Sequence, residues 1–270
     1  MKYNIAVTIS GLIRGWDITY KIFQYWNKLY DEIEFTFFLS TWKEVEIDFS
    51  KYDLLERYEI LEYNEIPKYI HDKCGYYGVN SLFYAYALHR VHKLRLNYEN
   101  ETNIKFDAVM QVRNDMFVAR NTFESIRKLL RRPSSIRLQP NMFYSISGTE
   151  SRNGKFYMPF DNFGFANPKV MDKYSDMYHN IYVDEKIEAS GLHFMQAQHL
   201  ISKNIHNAAM DGSATLIRFG NKTAPYLTFN HVNDILERKG VEYLYDNKGL
   251  GKSGFVKGEN FRNFIKRHLV

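Results

Sequence analysis

Three short, almost continuously apolar runs, separated by stretches of helical spacing, constrain this chain more than any other feature. Ile5 to Ile9 is a β-branched run ended by Ser10-Gly11, which reads as a buried strand running into a turn. Glu34 to Leu39 (EFTFFL) is the second run, and Phe106 to Val112 (FDAVMQV) the last, leading straight into Arg113-Asn114-Asp115. Between the first two, Ile18, Ile22, Tyr25, Trp26 and Leu29 share one helical face from Trp16 to Tyr30. Tyr58 to Tyr63 reads as a further strand. A long helix follows from Val79 to Glu99, with Tyr84, Leu88, Val91 and Leu94 at helical spacing, and polar Asn100 to Asn103 breaks it. Strand, helix, strand, helix, strand in this order predicts parallel strands joined by crossover helices. The fold class is therefore α/β: a Rossmann-like, mostly parallel central sheet flanked by helices.

Open sheets of this kind bind ligands outside the carboxyl ends of their strands, and two polar clusters fall at such ends. In Ser10-Gly11-Leu12-Ile13-Arg14, a glycine after the first strand lets backbone approach a nucleotide, and Arg14 can take a diphosphate bidentately. The spacing is not G-x-G-x-x-G, since only Gly11 and Gly15 are present. In the second cluster Asp115 stands beside Arg113. A leaving diphosphate needs its charge stabilised by a divalent cation held on carboxylates or by cationic side chains. Asp115 then holds Mg²⁺ or Mn²⁺ with Arg113 facing a phosphate or the sugar, or else it caps a turn with Arg113 as its ion-pair partner.

The second half mixes signals. Met142 to Ile146 reads as a strand, Asp161 to Ala166 as a loop and strand, and Asn167-Pro168 as a helix start with Pro at a favoured first-turn position. Leu192 to Ile201 reads as another helix. No internal repeat or long linker divides the chain. The expected organisation is one domain over 1–270, with a C-terminal extension over 241–270.

Composition bounds the partners. The chain of 270 residues carries a formal charge of +5 and 16% aromatic residues, with 21 Tyr and 20 Phe; Tyr suits both cores and sugar-binding surfaces. No basic helix with interleaved aromatics and no zinc-finger spacing occurs, so no nucleic-acid partner is expected. Cys74 alone makes an intrachain disulfide impossible. Met1 to Val7 lacks a signal-peptide apolar region, and no apolar run is long enough to span a membrane, so a cytoplasmic protein is expected. The basic stretch from Lys252 to His268 suggests at most weak peripheral contact with an anionic membrane. Gly251-Lys252-Ser253 fails as a P-loop because Asp246 stands where its first glycine belongs. His89 and His92 complete no zinc pattern and read as a solvated helical face. His231 reads as structural, and no G-x-S-x-G elbow exists.

Taken in order, four segments resemble a group of GT-A-like nucleotide-sugar glycosyltransferases found in bacterial surface-polysaccharide loci and large viruses. They are Ile5 to Arg14 as a strand with an S-G-x-x-R turn, Phe37 to Trp42 as a strand ending in Thr-Trp, Phe106 to Asp115 as an F-D-x-V-x-x-x-R-x-D strand, and Phe160 to Ala166 with Met171 to Tyr174 following. The resemblance, over about residues 3 to 205, implies a GT-A fold and a nucleotide-sugar donor, with a nucleotide-sugar-binding half over 1–120 and an acceptor-side half over 121–240. It puts Asp115 in the place of the last acid of a D-x-D motif, as ligand of Mn²⁺ or Mg²⁺. It puts Ser10, Gly11, Arg14 and Arg113 near the nucleotide, and Asp161 near the acceptor or reacting sugar, as the candidate base, with Arg113 in the catalytic set. The acceptor class is a glycan, lipid-linked or protein acceptor. The sequence departs from the group where Arg113 replaces the first acid of the D-x-D pair, and where Gln196 and Gln198 stand in place of an acidic residue. A non-catalytic nucleotide- or glycan-binding protein, or a sugar nucleotidyltransferase, is the alternative.

Overall fold

A strand buried on both faces needs apolar or small side chains at nearly every position, and Tyr3–Ser10 (β1) supplies them. The computed structural model describes residues 2–43, 47–73, 75–134, 136–146, 148–150, 157–159, 163–185, 187, 192–212, 214–218 and 227–246. After β1 come α1 (Trp16–Leu29), β2 (Ile33–Trp42), β3 (Leu55–Leu61), α2 (Lys68–Lys73), α3 (Gly75–Thr102) and β4 (Ala108–Val112). The chain continues through β5 (Met116–Val118), α4 (Arg120–Leu130), β6 (Met142–Ser145), β7 (Gly148–Glu150), β8 (Tyr157–Pro159), β9 (Phe163–Ala166) and α5 (Pro168–Ser175). A π-helical turn at His179–Val183 precedes α6 (Leu192–Ser202), β10 (His206–Ala209), β11 (Ala214–Arg218), β12 (Leu227–Thr228) and α7 (Phe229–Asp246).

The main sheet has seven strands in the order β10-β6-β9-β4-β1-β2-β3. β1 pairs in parallel with β2 and β4, β2 with β3, and β6 with β10; only β9 runs antiparallel, against β4 and β6. The mostly parallel sheet flanked by helices is therefore as expected. The sequence steps outward from β1 to β2 and β3 on one side, then returns to β4 on the other. That reversal opens a crevice above the carboxyl ends of β1 and β4.

Two cores sandwich the sheet. On one face Trp26, Phe23 and Phe37 pack with Phe123 and Tyr245, and on the other Phe38, Leu88, Val109, Phe143 and Tyr174 do so. α1 starts at Gly15, whose φ of 58° is left-handed and needs glycine, and Asp17 in its first turn suits the helix dipole. α3 spans 28 residues and ends where Asn103 turns left-handed, at φ 59°. α5 is capped by Asn167, whose side chain accepts from Val170 N at 3.0 Å, with Pro168 following as expected.

β3 begins at Leu55, three residues before the strand expected from Tyr58. It is an edge strand with alternating exposure, so its first half lacks the continuous apolar run that marks its neighbours. α7 is kinked at Gly240, φ 78°. Among the described residues, no helix is long and apolar enough to cross a membrane.

His92 corrects the solvated-face reading of the histidine pair. It is buried against the sheet, with Nε2 3.4 Å from Thr8 Oγ1, and burial drives its pKa well below the usual histidine value. His89 is half-buried beside His179, their rings 4.6 Å apart, and burial lowers its pKa to about 4. Two buried polar neighbours continue the same face of α3: Arg95, hydrogen-bonded to Glu99 at 2.8 Å, also bonds Asp172.

Candidate functional site

The loops leaving β1 and β4 decide where the polar side chains go. Gly11 turns out of β1 with φ 107° while its N–H donates to Ser40 O at 3.2 Å. A β-carbon on Gly11 would meet nothing within 4 Å, so the backbone conformation, not crowding, calls for glycine there. The turn carries Arg14 across to β4, where Asn114 Nδ2 donates to Arg14 O at 3.1 Å. That bond ties the two loops on either side of the crevice into one unit.

Between them lies a cavity of about 400 Å³, lined by Ser10, Gly11, Arg14 and Arg113. The first two sites read from the sequence, 100 residues apart, thus share one wall. Asp115 lies behind them, almost wholly buried. Its two carboxylate oxygens accept from Arg113 Nε and Nη2, both at 2.9 Å, and Arg14 Nη1 is 3.7 Å from Oδ2. Asp115 O also accepts from Ile217 N at 2.7 Å, so β11 helps to fix the loop. A bidentate carboxylate holds a guanidinium plane rigidly. Asp115 therefore anchors Arg113 at the cavity and pairs electrostatically with Arg14.

Among the described residues this arrangement is not a preformed divalent-cation site. Among the described residues no three His, Cys, Asp or Glu side chains gather to hold a metal. An ion at Asp115 would share the carboxylate with a bidentate guanidinium and sit beside a second positive charge. The metal-ligand role expected for Asp115 thus finds no ready-made ligand set among the described residues. Asp161 lies outside the described residues, as do Cys74 and the basic stretch from Lys252 to His268; of His231 only the helical backbone is described. Phe163, two positions after Asp161, pairs with Val112 at the end of β4, next to Arg113.

The opposite wall is aromatic. Trp42 ends β2 and stacks on Tyr63 with centroids 5.0 Å apart and planes at 8°, while Phe83 from α3 packs 4.9 Å from Trp42. Trp42 Nε1 donates to Phe83 O at 3.3 Å, which locks the indole. Flat faces of this kind suit a base or a sugar ring. Trp42 had been read from sequence as the end of a strand; Tyr63, Phe83 and Tyr84 at the cavity had not been singled out as site residues. Gln196, read as standing in an acidic position, is buried and donates to Tyr174 Oη at 2.7 Å.

A polar chain runs beneath the cavity floor and had no counterpart in the sequence reading. Thr8 Oγ1 donates to Gln111 Oε1 at 2.7 Å, and Gln111 Nε2 donates to Ser10 Oγ at 2.8 Å. Its signal was present as two polar residues, Thr8 and Gln111, inside otherwise apolar runs of central strands.

No protein-family model matches the chain, and no curated protein matches it. Among solved structures it is similar to a galactosyltransferase, LgtC, in complex with donor and acceptor sugar analogues. Identity is 11%, coverage is 76% of this chain and 73% of that one, and the TM-score is 0.43.

Proposed function

We propose that the protein is a GT-A-type glycosyltransferase that moves a sugar from a nucleotide diphosphate donor to a glycan, lipid-linked or protein acceptor. One observation carries the reading: Arg14 and Arg113, from loops on either side of the switch between β1 and β4, line one cavity and share the buried anchor Asp115. Two oriented guanidinia in a concave site match two phosphates, and the stacked Trp42–Tyr63 wall offers a flat surface for a base or sugar.

The chemistry follows from charge. Glycosyl transfer breaks the bond between the anomeric carbon and the diphosphate oxygen, and negative charge grows on the departing oxygen as the sugar becomes oxocarbenium-like. Arg14 and Arg113 face that charge with no reorganisation, because Asp115 already fixes Arg113 and the turn fixes Arg14. The cationic route takes the place of a metal here. Asp161 is the proposed base for the acceptor hydroxyl; Asp161→Asn then abolishes transfer and leaves donor binding intact.

Calorimetric titration of UDP, GDP, CDP and dTDP, each with and without chelator, tests the assignment. The expected result is one preferred nucleotide, bound equally well in chelator. Arg113→Met should weaken it by about tenfold or more, since a charge-assisted contact contributes roughly 1.5–3 kcal/mol. Binding that disappears in chelator would return Asp115 to a metal-ligand role. Tight binding unchanged in Arg113→Met would remove the cavity from the function.

A further inference from the structure

Serine hydroxyls carry one proton and two acceptor sites, so the neighbours decide whether a serine gives or receives at a ligand. Ser10 Oγ, on the cavity wall, receives a hydrogen bond from Gln111 Nε2 at 2.8 Å. The orientation of that amide follows from its surroundings. Gln111 Nε2 also lies 3.2 Å from Val112 O, a carbonyl that can only accept, so the nitrogen must be on this side. The oxygen then faces Thr8, whose hydroxyl donates to it at 2.7 Å.

The chain of donors can be followed one step further back. Thr8 has one proton, and Gln111 Oε1 at 2.7 Å takes it in preference to Met110 O at 3.4 Å. His92 Nε2, 3.4 Å from Thr8 Oγ1, must therefore be the donor in that contact. That makes His92 the Nε2–H tautomer, with Nδ1 lacking a hydrogen-bond partner among the described residues. Burial, then the nearby Arg95 charge, keeps the ring neutral. Every bond in the series His92, Thr8, Gln111, Ser10 points the same way, toward the cavity.

We propose that Gln111 is a positioning residue: with Thr8 and His92 behind it, it occupies the acceptor side of Ser10 and turns the Ser10 proton into the cavity, as a donor to an anionic ligand oxygen. The inference rests on the diphosphate reading above and deepens it by adding a neutral donor between the two arginines' loops. The relay is uncharged and runs from α3 through side chains of β1 and β4 themselves, so it sets direction at no cost in buried charge. A serine left to choose could equally present a lone pair, which repels phosphate.

The test uses inorganic pyrophosphate as probe, titrated into the full chain and four variants: Ser10→Ala, Gln111→Met, the double variant, and Arg113→Met. Ser10→Ala should lose about tenfold in affinity and Gln111→Met a part of that, with the double variant no weaker than Ser10→Ala alone, because Gln111 acts only by directing the Ser10 proton. A purely structural role for Gln111 predicts that its loss multiplies with that of Ser10→Ala. Thermal melts of each variant report folding. In the ligand-free protein, ¹⁵N spectra should show His92 as the neutral Nε2–H tautomer from pH 5 to 8, with the Gln111 side-chain amide shifting in Ser10→Ala. An Nδ1–H or titrating His92 overturns the relay whatever the ligand. Equal binding by wild type and Ser10→Ala, with Arg113→Met impaired, overturns this inference alone. No pyrophosphate binding by the wild type overturns it together with the diphosphate reading.

Discussion

Replacing Asp115 by Asn keeps the side chain's shape and removes the charge on which the site is built. The carboxylate is 1% exposed, while the Arg113 and Arg14 side chains are 22% and 35% exposed. Breaking a fully buried ion pair costs about 3–5 kcal/mol. Here water reaches both guanidinia and compensates part of the loss, so the cost falls below that range, to about 2–3 kcal/mol. Equilibrium unfolding in urea, followed by fluorescence of Trp16, Trp26 and Trp42, all buried, reads it directly. With a slope of about 3 kcal/mol/M the midpoint falls by roughly 1 M. Arg113→Met alone should cost a similar amount, because it takes the bidentate partner from a buried carboxylate that Arg14 approaches only to 3.7 Å. The double variant buries neither charge and should cost about 2 kcal/mol less than the two single losses added together. A loss below about 0.5 kcal/mol for Asp115→Asn, or strict additivity, would refute the claim that Asp115 is the anchor of the arginines.

Three further outcomes follow from the geometry. Tyr245→Phe should cost about 1–3 kcal/mol by leaving the buried Trp26 Nε1, which donates to Tyr245 Oη at 2.7 Å, without a partner; an unchanged melting temperature would show that α7 is not held this way. Gly164→Ala puts a β-carbon 2.4 Å from Phe143 Cζ, and that ring is buried against Tyr174 at 4.7 Å, so overpacking of about 1–3 kcal/mol is expected. Wild-type stability for Gly164→Ala would mean that the ring has room to move. His199 is fully buried, and burial lowers its pKa to about 4 from an ordinary 6.5. The unfolded chain takes up that proton first, so the contribution is complete above pH 6.5 and lost as pH falls toward 4, by up to about 3 kcal/mol. Urea midpoints measured across this window should fall more steeply for the wild type than for His199→Asn; parallel curves would contradict the assignment.

Legibility varied along the chain for physical reasons. β1, β2 and β4 stand out because parallel central strands are buried on both faces along most of their length and read as nearly continuous apolar runs. Placing them in parallel order also placed Ser10-Gly11, Arg14 and Arg113 on one edge, which is why two distant polar clusters meet at one cavity. β5 and β11 were missed, because a three-residue strand whose antiparallel partner lies about 100 residues away leaves no local pattern. β10, with sequence HNAA, has no apolar rhythm and is held by its pairing with β6. On α3, Leu88, His92, Arg95 and Glu99 step at intervals of four, three and four, the spacing of one helical face. That spacing places His92 on the buried stripe, although histidine as a residue type suggests solvent. At Asp115 the sequence leaves two readings, metal ligand or ion-pair partner of Arg113; the ion pair is observed, and its bidentate geometry is a tertiary fact that no local pattern carries.

The most direct test of the central claim is nucleotide release from a panel of UDP-, GDP-, CMP- and dTDP-sugars, run with Mn²⁺, with Mg²⁺ and with chelator, beside an Arg14→Met/Arg113→Met variant. The account predicts release of one nucleoside diphosphate, undiminished in chelator and lost in the variant. Absence of both release and saturable binding for every donor would contradict it.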